Sequence, residues 1–340
     1  MILENRKITV GILFGGKSAE HEISLQSAKS IYEAIDRSKF EPVLIGIDKD
    51  GRWYLTGNAV SLQEKKEPVY VMPGSQVFLE NLKLDIIFPV LHGPFGEDGT
   101  VQGLLKLAGI PFVGSGVLGS ALGMDKDVMK RLLRDAGIPI GKFITVMSHE
   151  PFPSFKKIEE ILGNPIFVKP ANMGSSVGIS KVYNIEEFDR AMNEAFRHDK
   201  KIILEEFICG REIECAVLGY ETPRASLAGE IIPAHDFYSY NAKYIDDKGA
   251  DLLIPANLDN NILKQIQDLS VKVFQTLCCE GLSRVDFFLK ENGEIVVNEI
   301  NTMPGFTKIS MFPKLWEADG VSYKELVTQL IEAATKDSNI

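Results

Sequence analysis

The spacing of apolar positions along the chain predicts strands alternating with helices. An apolar run at Ile8–Phe14 reads as a buried strand, Gly15-Gly16 ends it, and a helical stretch follows from about Ser18 to Ile35. Apolar strands at Pro42–Ile47 and Leu84–Val90 and a helix over Thr100–Ala108 continue that order. Strand, helix and strand at these lengths predict a parallel sheet with helices on its faces. A helix predicted over Asp125–Ala136 puts Val128, Met129, Leu132, Leu133 and Ala136 on one face and stops at Gly137 and Pro139. A strand at Ile166–Lys169, a glycine-rich loop, a helix at Ile185–Phe196 and a strand at Ile202–Phe207 then outline a small α+β unit. Alternation over Glu212–Leu218, helices at Ile262–Leu277 and Tyr323–Thr335, and a hairpin at 284–301 complete the pattern. The stretch 235–250 (HDFYSYNAKYIDDKGA) has no period. A loop of that length inside a compact domain is expected to be either a functional lid or disordered.

A chain of 340 residues exceeds what one core usually organises. Its turn signals divide it at 1–122, 123–211 and 212–340, the last stretch carrying the lid. Composition is that of a soluble globular protein, 45% hydrophobic and 25% charged. The formal net charge of −10 argues against nucleic acid as a partner, since phosphate backbones attract basic faces. The opening MILENRKITVGILFGG lacks the features of a signal peptide, and no apolar run is long enough to span a membrane. A cytoplasmic protein is expected, with Cys209, Cys215, Cys278 and Cys279 as reduced thiols.

The hairpin, RVDFFLKENGEIVVNEIN, carries the strongest chemistry. Taking Asn292-Gly293 as a two-residue type I′ loop sets Lys290 against Ile295, Asp286 against Glu299 and Arg284 against Asn301. The last four side chains then share one face, with Val285, Phe287, Leu289, Ile300, Asn298 and Val296 on the other. Carboxylates directly opposite lie only about 4.5–5.5 Å apart at Cβ and repel. A divalent cation between Asp286 and Glu299, with Asn301 adding a neutral oxygen, would relieve that repulsion, and hard oxygen ligands suit Mg²⁺. A solvated face with unrelated charges is the plain alternative.

Three glycine loops compete for an anion. Gly11–Ser18 (GILFGGKS) formally matches a phosphate-cradling loop, yet Ile12, Leu13 and Phe14 prolong the strand, leaving the helix start after Gly16 as a place for a small carboxylate. Gly174–Gly178 (GSSVG) formally matches a nucleophile elbow without a persuasive acid and histidine downstream. It reads better with Lys169, as a cationic anchor followed by a flexible flap over phosphates. In LHGPFGEDGT (91–100), His92 is either a ligand or general acid, or a satisfied structural histidine.

Taken together, these pieces resemble the ATP-grasp superfamily and, within it, the D-alanine–D-alanine ligases. The matching motifs are FGGKSAEHEIS (14–24), LHGPFGEDGT (91–100), GMDK (123–126), VKPANMGSSVGISKV (168–182), LEEFICGREIE (204–214), YNAKY (240–244), RVDFF (284–288) and NEINTMPGFTKISMFP (298–313). They follow the family's order over essentially the whole chain. The resemblance implies an N-terminal parallel-sheet domain and two α+β subdomains that clamp ATP. It implies that Asp286, Glu299 and Asn301 hold two Mg²⁺, with Mn²⁺ as a substitute. Lys126 and Lys169 would contact the phosphates, Glu205, Phe207 and Ile208 would line the adenine pocket, and Glu212 would bind the ribose. Glu20 would take the ammonium of the first D-alanine, in a set with Ser175 and Tyr244 that fastens the lid. Arg284 and the N–H of Gly305 would stabilise the oxyanion. Ser310 and Met311 would meet the second D-alanine, and His92 and Lys243 would line the substrate site. The implied activity is ATP-dependent synthesis of D-alanyl-D-alanine through an acyl phosphate, for peptidoglycan precursors, by a homodimer. The alternatives are a D-lactate- or D-serine-accepting relative, another ATP-grasp carboxylate–amine ligase, or a nucleotide-binding regulator without turnover.

Overall fold

The computed structural model describes residues 6–57, 60–63, 67–74, 77–79, 82–233 and 250–337. The first stretch runs β1 (Ile8–Gly15), α1 (His21–Ala34), β2 (Phe40–Ile47), β3 (Trp53–Leu55), β4 (Val77–Leu79), β5 (Leu82–Lys83) and β6 (Ile86–Val90). β1 lies between β2 and β6 and parallel to both, with β3 antiparallel on the outer edge and β4–β5 a separate small pair. Val10, Ile12, Phe14 and Phe88 point to one side of this sheet, and Leu13, Ile45 and Ile87 to the other. Both faces are therefore buried, which is why β1 is continuously apolar instead of alternating. α2 (Thr100–Ala108) covers one face with Val101, Leu105 and Ala108, and α3 (Val117–Met124) and α4 (Lys126–Asp135) follow.

The middle stretch contains β7 (Phe143–Met147), α5 (Phe155–Leu162), β8 (Ile166–Pro170), β9 (Ser180–Val182), α6 (Ile185–His198) and β10 (Lys201–Glu206). Its antiparallel sheet, ordered β7-β10-β8-β9, buries Ile166, Val168, Ile202 and Leu204 against Ile158 of α5 and Phe188 and Met192 of α6. The last stretch runs β11 (Arg211–Gly219), β12 (Arg224–Pro233), β13 (Ala250–Leu253), α7 (Asn260–Thr276), β14 (Gly281–Leu289), β15 (Ile295–Asn301), α8 (Met311–Ala318) and α9 (Tyr323–Asp337). The sheet β13-β12-β11-β14-β15 packs Ile213, Cys215, Val285, Phe287 and Val297 on Ile266, Val273 and Phe274 of α7 and on Met129 and Leu133 of α4. Its opposite face carries Glu212, Glu214, Arg284 and Asp286 at one end and Ala216, Leu218 and Leu282 at the other, the latter three in a second core.

The largest core belongs to two stretches at once. Phe312, Trp316, Leu326 and Leu330 of α8 and α9 pack with Val10, Phe14, Ile31 and Phe88 of the first sheet and α1. The last stretch thus returns to close the open face of the first. The lines expected at 122/123 and 211/212 fall inside α3 and after the first residue of β11. The four cysteines are free thiols, Cys215 and Cys279 buried. Among the described residues no helix is long and apolar enough to cross a membrane.

The short elements α3, α5, β7 and α8 lacked a long enough period to be predicted. α4 differs in character from its expectation. It buries Met129 and Leu133, as its apolar face predicts, but also Lys126, Asp127 and Lys130. Lys126 and Lys130 are withdrawn from water because they face clefts lined with partners, and Asp127 because it accepts from Thr145 and Arg131 and faces Lys201.

Candidate functional site: two clefts sharing a carboxylate wall

The β14–β15 ribbon sets the geometry, and its register differs from the expectation in two places that cancel. Lys290 N–H donates to Glu294 O at 2.9 Å and Gly293 N–H to Lys290 O at 2.9 Å, with Gly293 at φ +83°. The turn is therefore a three-residue loop closed by a left-handed glycine, not a type I′ pair. Leu289 consequently faces Ile295, one residue out from the expected register. Beyond Phe287↔Val297 the pairing shifts again, and Asp286 faces Glu299 and Arg284 faces Asn301 as expected. The extra residue is Asn298, which leaves the apolar face and lines a cleft. Bulging lets Ile295, Val297 and Ile300 all reach the core while Glu299 keeps its place beside Asp286.

One transverse row crosses three strands. Glu214 of β11 pairs with Asp286 of β14, which pairs with Glu299 of β15. Arg284 folds onto Asp286, donating Nε–H to Oδ1 and Nη2–H to Oδ2, both at 2.7 Å. Asn301 Nδ2–H donates to Asp286 Oδ2 at 3.0 Å. Lys126 Nζ stands 3.6 Å from Glu299 Oε2 and donates to Met173 O at 2.7 Å. Burial alone would lower the guanidinium pKa of Arg284, but Asp286 and Glu214 hold it well above its ordinary value.

Two clefts open on either side of this row, and Lys126, Gly174, Ser175 and Glu299 line both. The first gathers Glu20, His92, Arg284, Gly305, Ser310 and Met311. Glu20 sits just before α1, where the Gly15-Gly16 turn ends β1, and its side chain accepts a hydrogen bond from the Ser175 hydroxyl of the flap between β8 and β9. Gly15 allows no side chain, because a Cβ there would lie 2.2 Å from Ile47 O. Ser18 Oγ–H donates to His92 O at 2.6 Å, tying this loop to the one after β6.

His92 is buried and satisfied on both sides. Its Nδ1–H donates to Met303 O at 3.0 Å, and its Nε2 lies 3.1 Å from Ser27 Oγ, as acceptor of that hydroxyl. Ser27 Oγ in turn accepts from Phe306 N–H at 3.3 Å. The structural option left open for this histidine therefore describes its contacts, which brace the backbone on either side of Gly305. Burial lowers its pKa and keeps the ring neutral. Ser310 Oγ accepts from Thr307 N–H at 3.1 Å and stands at the head of α8, whose first residue, Met311, packs over Gly229.

The second cleft is lined by Lys169, Glu205, Phe207, Ile208 and Glu212, with Lys126 and Lys130 from α4. Glu205 lies between two lysines, Oε1 2.8 Å from Lys130 Nζ and Oε2 2.5 Å from Lys169 Nζ. Burial would raise its pKa, but the two ammonium groups bring it down to about 2. The pKa of Lys169 is raised in turn: burial opposes the charge, and Glu205 more than offsets it.

Of the predicted site residues among the described ones, all but Asp286 line one of these clefts, and Asp286 stands just behind the lining, hydrogen-bonded to Arg284 and Asn301 and beside Glu299. Lys243 and Tyr244, with the rest of the expected lid up to 249, lie outside them. Among the lining residues missed by the sequence reading are three charged ones, Lys130, Glu214 and Glu97. Lys130 follows Lys126 by one helical turn on the same face, a signal that was available. Glu214 follows Glu212 by two on a strand, and so shares its face. Glu97, inside the LHGPFGEDGT motif, accepts from Gly93 N–H at 2.5 Å, and burial with the neighbouring Glu20 carboxylate raises its pKa to about 8.

The oxygen set of Asp286, Glu299 and Asn301 fits a hard divalent cation. Two of the three carry charge on one rung of the sheet, and turning over the Asn301 amide presents its oxygen. Among the described residues no three His, Cys, Asp or Glu side chains converge at metal-holding distance. Two carboxylates with substrate phosphates and water completing the shell is the pattern Mg²⁺ takes.

Two α+β sheets facing each other across a lysine-lined cleft, with an acidic ribbon as its floor, define an ATP-grasp enzyme, a ligase that consumes ATP with a divalent metal. Residues 9–115 match the model of the D-ala D-ala ligase N-terminus and residues 132–332 that of the D-ala D-ala ligase C-terminus. The chain is 53% identical to the D-alanine–D-alanine ligase of Oceanobacillus iheyensis, over 96% of this chain and 95% of the relative. Among solved structures, the D-alanine–D-alanine ligase from Coxiella burnetii superposes with a TM-score of 0.89 at 39% identity, covering 98% of this chain and 95% of that one. The VanG D-Ala:D-Ser ligase from Enterococcus faecalis does so with a TM-score of 0.89 at 40% identity, covering 97% and 100%. The chain belongs to the D-alanine–D-alanine ligase family.

Proposed function

We propose that this protein joins two molecules of D-alanine into D-alanyl-D-alanine for peptidoglycan precursor synthesis, at the expense of ATP. The observation that carries the reading is Glu299, which with Lys126 lines both a nucleotide cleft and a substrate cleft and faces Asp286 on the same rung, with Arg284 folded onto that aspartate from the substrate side. A carboxylate is a poor electrophile. Phosphorylation of the first D-alanine by the γ-phosphate of ATP creates an acyl phosphate, and attack by the amine of the second D-alanine expels phosphate.

In this reading Glu205, Phe207 and Ile208 surround the adenine, Glu212 holds the ribose, and Lys126 and Lys169 face the phosphates. Glu20 takes the ammonium of the first D-alanine, with Ser175 aligning its carboxylate, and His92 lines that side of the cleft. Arg284 and the Gly305 N–H receive the oxyanion as it forms, and Ser310 and Met311 seat the second D-alanine. Held by Asp286, Glu299 and Asn301, Mg²⁺ (two ions in this reading, with Mn²⁺ able to replace them) supplies neutralising charge to the phosphoryl group. Lys243 and Tyr244 of the 235–250 stretch complete the substrate site as a lid that excludes water from the acyl phosphate. The division at 1–122, 123–211 and 212–340, a cytoplasmic location and a homodimer belong to the same reading.

Incubation with ATP, Mg²⁺ and D-alanine, with D-serine and D-lactate as competitors, tests it by product mass. D-alanyl-D-alanine as the main product at neutral pH is expected, and its absence overturns the reading. The D-Ala:D-Ser neighbour keeps a seryl product as the second reading.

A further inference from the structure

We infer that Glu214 is a positioning residue for Arg284, holding the guanidinium at the oxyanion site while Asp286 is shared with other partners. The inference rests on Arg284 being the oxyanion donor.

Two carboxylates, Glu214 and Asp286, fix the Arg284 side chain. On its own rung Arg284 has Asn301 on one side and only Ala216 on the β11 side, so neither rung neighbour carries charge. The side chain therefore reaches to the next rung, where Glu214 and Asp286 stand opposite each other. Glu214 Oε2 lies 2.9 Å from Arg284 Nε, while the Nε–H itself is directed to Asp286 Oδ1. Glu214 thus acts mainly through charge, with its side chain only 7% exposed.

The two carboxylates are not equivalent. Asp286 already receives Arg284 on both oxygens and Asn301 on one. It also faces Glu299 across β15, where the cation-binding oxygens are. Any positive charge drawn to the Asp286–Glu299 pair competes with the guanidinium for the same oxygens. Glu214 lies on the other side of β14, away from Glu299, and its rung neighbour beyond is Gly229, roofed by Met311 and Leu315. It therefore stands on the far side of β14 from that competition, and it borders the subsite assigned to the second amino acid. A buried guanidinium that lost half its counter-charge would move toward water or toward Glu299, because uncompensated burial of charge is costly. Glu214 prevents that movement.

The prediction is selective. Phosphorylation of the first D-alanine needs the cation and the lysines, whereas attack by the second amine, which places charge on the carbonyl oxygen, needs the donor that Glu214 aims. Glu214→Gln keeps size and polarity and removes the charge. Dipeptide kcat is expected to fall about ten- to a hundredfold, short of the loss from deleting a donor outright. The KM for ATP is expected to stay within about twofold. Scrambling of ¹⁸O between bridging and non-bridging positions of ATP in the presence of D-alanine, which reads acyl phosphate formation alone, should persist. Mn²⁺ affinity, measured by electron paramagnetic resonance, should stay within about threefold of the parent.

Kcat within about twofold of the parent overturns the inference. So does a fall of scrambling in step with dipeptide formation, which would make Glu214 structural, or a tenfold or larger loss of Mn²⁺ affinity (about the least that second-shell changes cost), which would make it a metal ligand. Arg284→Met is run beside it. If that variant keeps its turnover, the reading of Arg284 fails; if it loses dipeptide formation while Glu214→Gln does not, only the present inference fails. Should Glu214→Gln not fold, Glu214→Asp, which withdraws the carboxylate by one methylene, must show the same split. Failure of both to fold assigns Glu214 to stability and overturns the inference.

Discussion

Glu97 and Glu205 line neighbouring clefts, both drawn away from water, and their protons respond in opposite ways. Burial pushes both toward the neutral acid, but Glu97 has the Glu20 carboxylate for a neighbour and rises to about 8. Glu205 has the ammonium groups of Lys130 and Lys169 and falls to about 2. One side chain type therefore gives a neutral acid on the substrate side and a permanent anion on the nucleotide side. What decides is the sign of the charge a few ångströms away, since that attraction or repulsion is large where solvent does not screen it. The substrate cleft can receive an ammonium ion without accumulating excess negative charge. The nucleotide cleft keeps its lysines in place before phosphates arrive.

The sharpest way to break this contrast is Glu205→Gln. It leaves two buried lysines without their common anion and is expected to cost about 3–5 kcal/mol at pH 7, read from urea unfolding. Because the folded-state pKa of Glu205 lies below its ordinary 4.5, its contribution is present above that value and lost as pH falls toward about 2. The gap between variant and parent should therefore close with acid. A gap independent of pH would show that the lysines do not set the state of Glu205.

Lys130→Met tests the same cluster with a smaller effect. Lys169 still neutralises Glu205, so a loss of about 2 kcal/mol is expected, together with a weaker grip on ATP. Stability equal to the parent would remove Lys130 from the account.

Glu97→Gln should have the mildest effect near pH 5 and the opposite pH dependence. A folded pKa raised above 4.5 means that the unfolded chain ionises first, so Glu97 costs stability progressively as pH rises from about 4.5 toward 8. The variant should match the parent near pH 5 and become the more stable of the two by pH 8, gaining at most about 1.4 kcal/mol per pH unit. A difference that does not grow with pH would show that Glu97 is ionised throughout.

Much of the fold was legible because its signals are local. β1, α2, α6, β10 and α9 stand where periodicity put them, give or take a residue or two at their ends. The polar face of the hairpin was legible for a less secure reason. Its expected register followed from a two-residue turn, and the true three-residue loop would have set Glu299 beside the wrong neighbour had Asn298 not bulged. Nothing in NEIN distinguishes a bulged asparagine from a paired one. Only the competition of Val297 and Ile300 for the core beneath decides it. The buried charges of α4 escaped a reading that looks for an apolar stripe, because Lys126 and Lys130 are inside for the sake of partners on other strands.

By itself the sequence determined the period of each element, the glycine turns that end β1 and close the hairpin, and the kinds of ligand atom available. Those depend on a residue and its near neighbours along the chain. The tertiary structure alone decided that Ser175 meets Glu20 across 155 residues, that Glu214 stands beside Arg284, and that two glutamates carry opposite protonation. Charge interaction and desolvation depend on distance in space and on what excludes water, and neither is encoded by separation along the chain.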